Sequence, residues 1–471
     1  MEEKQTLGGK EKFAYGIGAV GKDMVYMLSA SYILYYYQDI LGVSAAAMGV
    51  ILLVARVFDA FNDPIMGVLV AKTHTKWGKF RPWLFIGTLT NAVMLVLMFS
   101  APPTLSGSGL VAYAAVFYIL WGVTYTMMDI PYWSMVPAFT SAGKERESMS
   151  ALGHSCAGVG SALVSICTVM LVSALGHAFG GNESNYELIG YKWVAIIVAV
   201  LFVVFITITC AGIKEKSTVD MQTASVGDMF KALVKNDQAM TMVISIVCIN
   251  TALYITQNLL IYFFKYDFSG PEAWEGHYTL FNTCGGAFQI LAMMILFPVL
   301  RKAGLNTMKI FYTSFFMAFA GYVFLLVYTF AVGGGSVYVL LVPAFLIMAA
   351  IGMLNVIVTI FLANTCDYGE LKNGRRDESV IFSMQTFVVK LASGISAFIA
   401  SIVLTITHIN SSEDAVVTIA SDASRMGLRI SMTVLPTVIL IIGIIVFRSK
   451  YILTDEKLDE INAELAAKKA A

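Results

Sequence analysis

Long apolar stretches recur along the whole chain of 471 residues, and they constrain its fold more than any other feature. A helix needs about 20 predominantly apolar residues to cross the hydrocarbon core of a bilayer, and runs of that length return throughout this sequence. Charged residues make up only 13% of the chain, whereas soluble domains carry about 25%. The sequence therefore predicts an all-α integral membrane protein that crosses the bilayer many times.

The apolar pattern resolves into twelve predicted spans: residues 13–38, 43–71, 82–101, 109–139, 149–178, 190–213, 238–265, 277–300, 307–331, 336–365, 379–408 and 427–448. The longest polar interruption is a middle loop at residues 214–237. It separates a first six-helix bundle, residues 1–213, from a second bundle, residues 238–448, which is followed by a tail at 449–471. This division favours the major facilitator fold, in which two pseudo-symmetric bundles surround a site near the bilayer midplane. Other polytopic folds also reach twelve spans.

Basic residues are concentrated in alternate loops. Most of the 31 Lys and Arg residues lie in the N-terminal segment, in the loops that follow even-numbered spans, and in the tail. Cytoplasmic segments carry such an excess, so we expect both termini to be cytoplasmic in a bacterial inner membrane. The first apolar run lacks a small-residue cleavage site and is interpreted as an uncleaved span.

The chain lacks the patterns of common catalytic and metal-binding classes. Its six cysteines form no CxxC pair, and its five histidines include no HExxH motif. No nucleophile and base stand out at a spacing typical of an active site. We therefore expect neither an enzyme nor a nucleic-acid-binding protein, and no bound cofactor.

The second span carries four polar residues within two turns, in the stretch VARVFDAFNDPIMG. A charge at the bilayer centre costs about 2.5–3.5 kcal/mol on insertion scales, so such residues mark functional positions. Asp59, Asn62 and Asp63 have i, i+3, i+4 spacing and share one helix face. Their oxygens are hard donors that suit a hard cation, and a proton is an alternative occupant. The competing interpretation is a structural ion pair between Arg56 and one acid, which leaves Asn62 and the second acid unexplained.

The fourth span places an acid between two aromatic residues. Tyr125, Asp129 and Trp133 have i, i+4, i+8 spacing and form a stripe along one face. A carboxylate accepts hydrogen bonds from adjacent hydroxyls, and an aromatic ring packs against the C–H face of a pyranose, so the stripe indicates a sugar site. Thr126 would add a hydroxyl to the span-two residues if the helices cross there. Ordinary interhelical packing is the alternative for each aromatic residue taken singly.

Spans one and eleven carry further charges. Adjacent Lys22 and Asp23 point about 100° apart on a helix and are expected to have different partners. In span eleven, Thr386 and Lys390 share a face beside Gln385. We hypothesise that Lys390 pairs with a carboxylate of the first bundle in one conformational state.

Eight segments, in consistent order from span one to span eleven, resemble the glycoside–pentoside–hexuronide:cation symporters, the branch of the major facilitator superfamily that includes the melibiose permease. The segments are GKD, LYYYQD, ARVFDAFNDPIMG, WGKFRPW, ILWGVTYTMMDIPYWSMVP, KERE, DYGELK and SMQTFVVK. The resemblance implies the major facilitator fold and cation-coupled sugar transport. It also implies that the basic loop KTHTKWGKFRPW serves gating and topology.

The resemblance implies roles for individual residues. It implies a site for sodium, lithium or protons at Asp59, Asn62, Asp63 and Thr126. It implies that two acids, Asp23 and Asp129, hold the sugar hydroxyls. Further sugar contacts are implied at Lys22, Tyr125, Trp133, Gln385, Thr386 and Lys390.

Two cavity positions depart from the family pattern. His154, in SALGHSCAG, stands where the pattern has an arginine, and Asn355, in GMLNVIVT, stands where it has a tryptophan. His154 replaces a permanent positive charge with an imidazole, and Asn355 replaces an aromatic ring with an amide. These changes should alter which sugars the protein binds. We therefore include both residues among the predicted sugar contacts.

These observations predict a secondary transporter that couples entry of Na⁺, Li⁺ or H⁺ to uptake of a sugar or glycoside. We expect it to work as a monomer surrounded by membrane lipid. The alternative is a cation-coupled carrier of another amphiphile such as a lysolipid, which would need a lateral opening and a long apolar pocket. A transport-like sensor would need an appended cytoplasmic domain, for which residues 449–471 are too few.

Overall fold

The structure, a computed structural model, consists of helices and short connections throughout the residues that it describes. These are residues 7–140, 144–215, 226–269, 273–332, 335–373, 378–409 and 421–470. Within these ranges there is no strand, and a single isolated bridge joins Thr75 and Gly78. The predicted all-α membrane fold is confirmed.

The described residues of 1–223 form the first of two structural units. Its helices are α1 (Gly9–Tyr35), α2 (Ala45–Ala71), α3 (Arg81–Met98), α4 (Gly107–Ser134), α5 (Val136–Phe139), α6 (Lys144–Ala178) and α7 (Tyr186–Gly212). A π-helical turn, Tyr36–Ile40, continues α1.

The second unit contains the described residues of 224–409 and 417–471. Its helices are α8 (Val226–Lys235), α9 (Asp237–Tyr262), α10 (Trp274–Leu291), α11 (Phe297–Lys302), α12 (Thr307–Val332), α13 (Val337–Asn373), α14 (Glu378–Ile406), α15 (Asp422–Lys450) and α16 (Asp455–Ala470). Two π-helical turns, Phe263–Phe268 and Ala292–Leu296, follow α9 and α10.

Eleven helices in the described part of the chain are long and apolar enough to cross a bilayer, and they correspond to predicted spans two to twelve. Predicted span one is the continuous helix α1, which is not among the eleven because Lys22 and Asp23 interrupt its apolar run. The largest difference in boundary is in span ten, where α13 continues to Asn373 instead of ending at residue 365.

The long helices pack in the same order within each unit. In the first unit, α1 contacts α6 and α7, α4 contacts α2 and α3, and α3 contacts α7. In the second unit, α9 contacts α14 and α15, α13 contacts α10 and α12, and α12 contacts α15. The six long helices of one unit therefore correspond one to one with those of the other, which is the internal repeat expected of this fold.

Glycines let α1 approach its neighbours closely. A Cβ atom at Gly160 of α6 would collide with the backbone of Val20, and one at Gly18 of α1 would collide with Thr209 of α7. Thr209 also donates a hydrogen bond of 2.7 Å to the Ala14 carbonyl. Helices in lipid associate through such close packing, so these small residues hold α1 in the position that presents its charged side chains.

We expect Gly160→Ala to lower the free energy of unfolding by about 1–3 kcal/mol, because the added methyl group overpacks the contact with Val20. Gly158→Ala is the matched control, since a Cβ atom there meets nothing within 4 Å. Thermal unfolding of both variants in one detergent measures the difference. Equal melting temperatures would contradict this account of the packing.

Glu215, just after α7, organises the basic loop between α2 and α3. Its carboxylate accepts hydrogen bonds from the backbone N–H groups of Lys79, Phe80 and Arg81 at 2.7, 3.0 and 3.1 Å. The first N–H groups of a helix have no acceptor within the helix. At the start of α3 the Glu215 carboxylate is that acceptor. The loop is therefore anchored within the first unit.

A buried ion pair joins three segments of the second unit. Arg429 of α15 donates two hydrogen bonds of 2.7 Å to Asp267, which lies in the π-helical turn after α9. Arg429 also donates one of 2.7 Å to the Thr329 carbonyl of α12. The start of α15 therefore lies beside the end of α12, so these two helices run antiparallel.

Candidate functional site

The predicted site residues of the first unit form two clusters on α1, α2, α4 and α6. The Lys22 cluster consists of Lys22, Asp23, Tyr125, Asp129, Trp133 and His154. The Asp63 cluster consists of Arg56, Asp59, Asn62, Asp63 and Thr126.

Lys22 lies at the centre of its cluster and is only 4% exposed. Its Nζ atom is 2.7 Å from Asp129 Oδ1 and donates a hydrogen bond of 3.2 Å to the Tyr125 hydroxyl. Nζ also lies 5.0 Å from the centre of the Trp133 ring. A buried ammonium group is tolerated only when its charge is compensated and its N–H groups are bonded. Lys22 therefore ties α1 to α4.

Asp129 uses one oxygen for structure. Oδ1, which pairs with Lys22, also accepts a hydrogen bond of 3.1 Å from Trp133 Nε1. In the part of the chain that the structure describes, Oδ2 accepts no hydrogen bond. An ionised carboxylate can accept several bonds, so Oδ2 keeps its capacity for a hydroxyl group.

His154 of α6 covers one face of Trp133. The two rings are stacked with centroids 4.4 Å apart and an interplanar angle of 18°. Trp133 is half-buried, whereas His154 is exposed. A ligand that approaches from this side meets the imidazole first. One face of the Trp133 ring is therefore not available for stacking against a sugar, which the sequence alone did not indicate.

Asp23 is half-buried beside the charges of Lys22 and Asp129. Among the described residues its carboxylate forms no hydrogen bond and no ion pair. The adjacent lysine pairs with Asp129, whereas the separate partner expected for Asp23 is not found among the described residues. Asp23 thus offers two acceptor oxygens to a ligand.

In the Asp63 cluster, Arg56 and Asp59 form a buried ion pair. The Nη1 atom of Arg56 is 3.2 Å from Asp59 Oδ2, and the two side chains are 5% and 8% exposed. The guanidinium lies 5.7 Å from the ring centre of Tyr26 and 5.9 Å from that of Tyr118. The structural pair that the sequence allowed is therefore present.

The remaining members of the Asp63 cluster are not explained by that pair. Thr126 of α4 donates a hydrogen bond of 3.0 Å to Asp63 Oδ1. Asn62 Nδ2 is buried and has no hydrogen-bond partner among the described residues. Carboxylate, amide and hydroxyl oxygens suit a hard monovalent cation.

The two clusters meet on α4. Tyr125 accepts the bond from Lys22, and the next residue, Thr126, donates to Asp63. Tyr26 of α1 links them a second time, since its ring lies 5.5 Å from that of Tyr125 and under the Arg56 guanidinium. The two clusters are therefore in contact through one turn of α4 and through the Tyr26 ring.

Tyr26 and Gly122 also contact the two clusters, and neither was predicted from the sequence. Tyr26 lies one turn after Lys22 and Asp23 in α1, and that periodicity is the signal which would have found it. Gly122 of α4 packs against the Asp59 carboxylate, where a Cβ atom would lie 2.9 Å from Oδ1. No local pattern marks this glycine, because its role depends on the crossing of α2 and α4.

The predicted site residues of the second unit are placed on two helices. Asn355 lies on α13, and Gln385 and Lys390 lie on α14, all three half-buried. The side chain of Thr386 lies outside the described residues. That these four residues contact the sugar stays a prediction.

The sequence model of the family described as "MFS/sugar transport protein" matches residues 14–455. The isoprimeverose transporter of Lactiplantibacillus pentosus is 29% identical over 85% of this chain and 81% of its own length. The putative glycoside/cation symporter YagG of Escherichia coli is 27% identical over 98% of this chain and 96% of its own.

Solved structures agree on the fold. A bacterial homologue of the human lysosomal transporter Spinster, in an inward-facing and unoccupied conformation, superposes with a TM-score of 0.66. It is 11% identical and the match covers 93% of this chain and 95% of that one. At this identity the likeness concerns the fold alone.

Proposed function

Because the chain belongs to the MFS/sugar transport protein family, in the glycoside–pentoside–hexuronide:cation symporter branch of the major facilitator superfamily, we propose that it couples inward movement of Na⁺, Li⁺ or H⁺ to uptake of a sugar or glycoside. The chain is a transporter and not an enzyme. The relatives named as transporters of isoprimeverose, raffinose and lactose support a sugar as the solute.

The observation that carries the proposal is the meeting of the two clusters on α4. Tyr125 and Thr126 are neighbours, yet one contacts the Lys22 cluster and the other contacts the Asp63 cluster. Coupling between two ligands is a reciprocal free energy between their sites. Because the two sites share one helical turn, a ligand bound at one site can directly alter the side-chain positions at the other.

In the proposed mechanism the cation and the sugar complete each other's sites. A cation seated by Asp63, Asn62 and Asp59 adds a second positive charge beside Arg56, so that both carboxylates of the cluster are compensated in the membrane interior. Bound to Asp63, it fixes Thr126 and with it the register of Tyr125 and Asp129. The sugar hydroxyls then donate to Asp23 and to Asp129 Oδ2. Alternating access would carry the loaded pair across, with both termini in the cytoplasm as the basic loops favour.

The polar character of the Lys22 cluster supports a sugar over a lysolipid. Two carboxylates, an ammonium group and a hydroxyl converge there. These groups recognise hydroxyls, whereas an acyl chain needs an apolar wall.

The test of the proposal is uptake by proteoliposomes that contain the purified protein. A panel of glycosides, pentosides and hexuronates is offered with an inward gradient of Na⁺, Li⁺ or H⁺, and with none. We expect at least one sugar to accumulate only when a cation gradient is imposed. Accumulation of no sugar under any gradient would contradict the proposal.

We expect His154→Ala to weaken sugar binding by about 2- to 12-fold, the range of an aromatic pair interaction. The stacked imidazole holds the indole of Trp133 at the angle from which Nε1 reaches Asp129. His154→Phe is the matched control, because it keeps a ring on Trp133 and should retain most of the affinity. Calorimetric titration of both variants with the transported sugar measures the effect. Equal affinities for His154→Ala and the unchanged protein would contradict it.

A further inference from the structure

A recess in the second unit is built from apolar and aromatic side chains. It is a groove of about 390 Å³ between α12 and α15. Phe315 and Leu440 are buried and form its floor, while Phe316, Phe319 and Ile441 are exposed along its sides. Its volume falls in the range of about 300–1,000 Å³ that is typical of ligand pockets. The groove opens on the surface of a membrane-spanning unit, where Phe316 and Phe319 are exposed.

The groove follows one stripe on each helix, and each stripe ends at a basic residue. On α12 the stripe is Lys309, Tyr312, Phe316 and Phe319, at spacings of three and four residues. On α15 it is Thr437, Ile441, Ile444 and Arg448, again at spacings of three and four. Such spacings place the members of a stripe on one face of the helix. Each basic residue therefore lies about one turn beyond the groove on the groove's own face.

The two basic residues lie at the same end of the groove. The helices are antiparallel, since Arg429 at the start of α15 bonds Thr329 near the end of α12. At the opposite end, the rings of Phe311 and Phe447 are 4.3 Å apart, and these residues neighbour Lys309 and Arg448 in sequence. Both basic side chains are exposed, and in the described part of the chain neither forms an ion pair.

The charged residues that α11, α12 and α15 carry near this end are all basic. Lys450 follows Arg448 closely on α15, and Arg301 and Lys302 end α11, which contacts α12. Acids also lie at this side of the unit, but on two helices that do not line the groove: Asp367 and Glu370 of α13, and Asp455 and Glu456 of α16. By the distribution of basic loops this end faces the cytoplasm, where leaflets carry anionic headgroups.

We propose that the groove binds an anionic phospholipid of that leaflet. One acyl chain lies on Phe315 and Leu440 between the aromatic and aliphatic walls. The phosphate and its headgroup lie between the Lys309 ammonium and the Arg448 guanidinium, which donate to the phosphate oxygens. The Tyr312 ring, one turn below Lys309, marks the boundary between headgroup and chain.

The test is a lipid titration of the purified, delipidated full chain, with bound lipid counted by native mass spectrometry. Phosphatidylglycerol and phosphatidylcholine with identical acyl chains are compared. We expect tighter binding of phosphatidylglycerol. Lys309→Gln combined with Arg448→Gln should weaken it about 25-fold, at about fivefold for each charge, and leave phosphatidylcholine unchanged.

Two further variants separate headgroup from chain. Lys72→Gln with Lys76→Gln, an exposed basic pair in the loop after α2, is the matched control and should bind both lipids like the unchanged protein. Ile441→Trp fills the groove from an exposed position and should lower the binding of both lipids. The proposal is overturned if the two lipids bind equally well, or if the control pair weakens phosphatidylglycerol as much as the groove pair. It is also overturned if delipidated protein forms dimers that the Ile441→Trp change disrupts, because a second copy would then occupy the groove.

Discussion

Asp63→Asn is expected to abolish the stimulation of sugar uptake by cations while the protein remains folded. Thr126 donates a hydrogen bond of 3.0 Å to Asp63 Oδ1, and the asparagine oxygen can accept the same bond. The change removes a negative charge from the cation seat, and with it a coupling free energy of about 1–3 kcal/mol, or about 5- to 150-fold in affinity. Uptake into proteoliposomes with and without an inward cation gradient measures the loss.

Asp59→Asn should fail in a different way. Its carboxylate compensates the buried Arg56 guanidinium at 3.2 Å, and breaking a buried pair on one side costs about 3–5 kcal/mol. We therefore expect this variant to lose stability as well as coupling. Adding Arg56→Gln should recover part of the stability but not the coupling.

The control for both changes is Glu183→Gln. Glu183 is exposed and its contact with His177 lies at the surface, so removing its charge should alter neither stability nor coupling. Full cation stimulation in Asp63→Asn would show that the cation binds elsewhere.

Asp23→Ala is expected to remove sugar binding without unfolding the protein. Among the described residues Asp23 has no hydrogen bond or ion pair to lose, so no buried partner is left uncompensated. Each hydrogen bond to a charged group contributes about 1.5–3 kcal/mol, so affinity should fall by at least about 10- to 150-fold. Calorimetric titration measures the affinity, and a thermal unfolding scan of the same sample checks the fold.

Asp129→Ala is the informative comparison. It removes the partner of the buried Lys22 and of Trp133 Nε1, so sugar binding and stability should fall together. Asp129→Asn keeps an acceptor and should recover some stability. If Asp23→Ala retains full sugar affinity, the assignment of the Lys22 cluster as the sugar site is wrong.

The helices and the local clusters could be predicted from sequence because both depend on periodicity. Apolar runs gave the spans, and the i, i+3, i+4 spacing placed Asp59, Asn62 and Asp63 on one face of α2. Their cluster is local, so no knowledge of packing was required. The bond from Thr126 was anticipated only on the condition that the helices cross, which the structure supplies.

Contacts between distant parts of the chain could not be predicted from helical periodicity. Lys22 pairs with Asp129 through the packing of α1 and α4, and His154 reaches Trp133 from α6. Nothing in a helical period specifies which neighbour a charged face meets. The ion pair between Asp267 and Arg429 could not be predicted either. Both residues lie at the ends of apolar runs, where charged residues are common and do not by themselves indicate a pair.

In the proposed mechanism the cation seat on α2 and the sugar contacts on α1 and α4 form one coupled pair. Calorimetric titration of the purified protein with its sugar is the most direct measurement of that coupling. The titration is made in choline and then in the stimulating cation, for the unchanged protein and for Asp59→Asn/Asp63→Asn. We expect the cation to raise sugar affinity by about 5- to 150-fold in the unchanged protein and to have no effect in the double variant. Equal affinity in choline and in the cation for the unchanged protein, or an undiminished cation effect in the double variant, would contradict it.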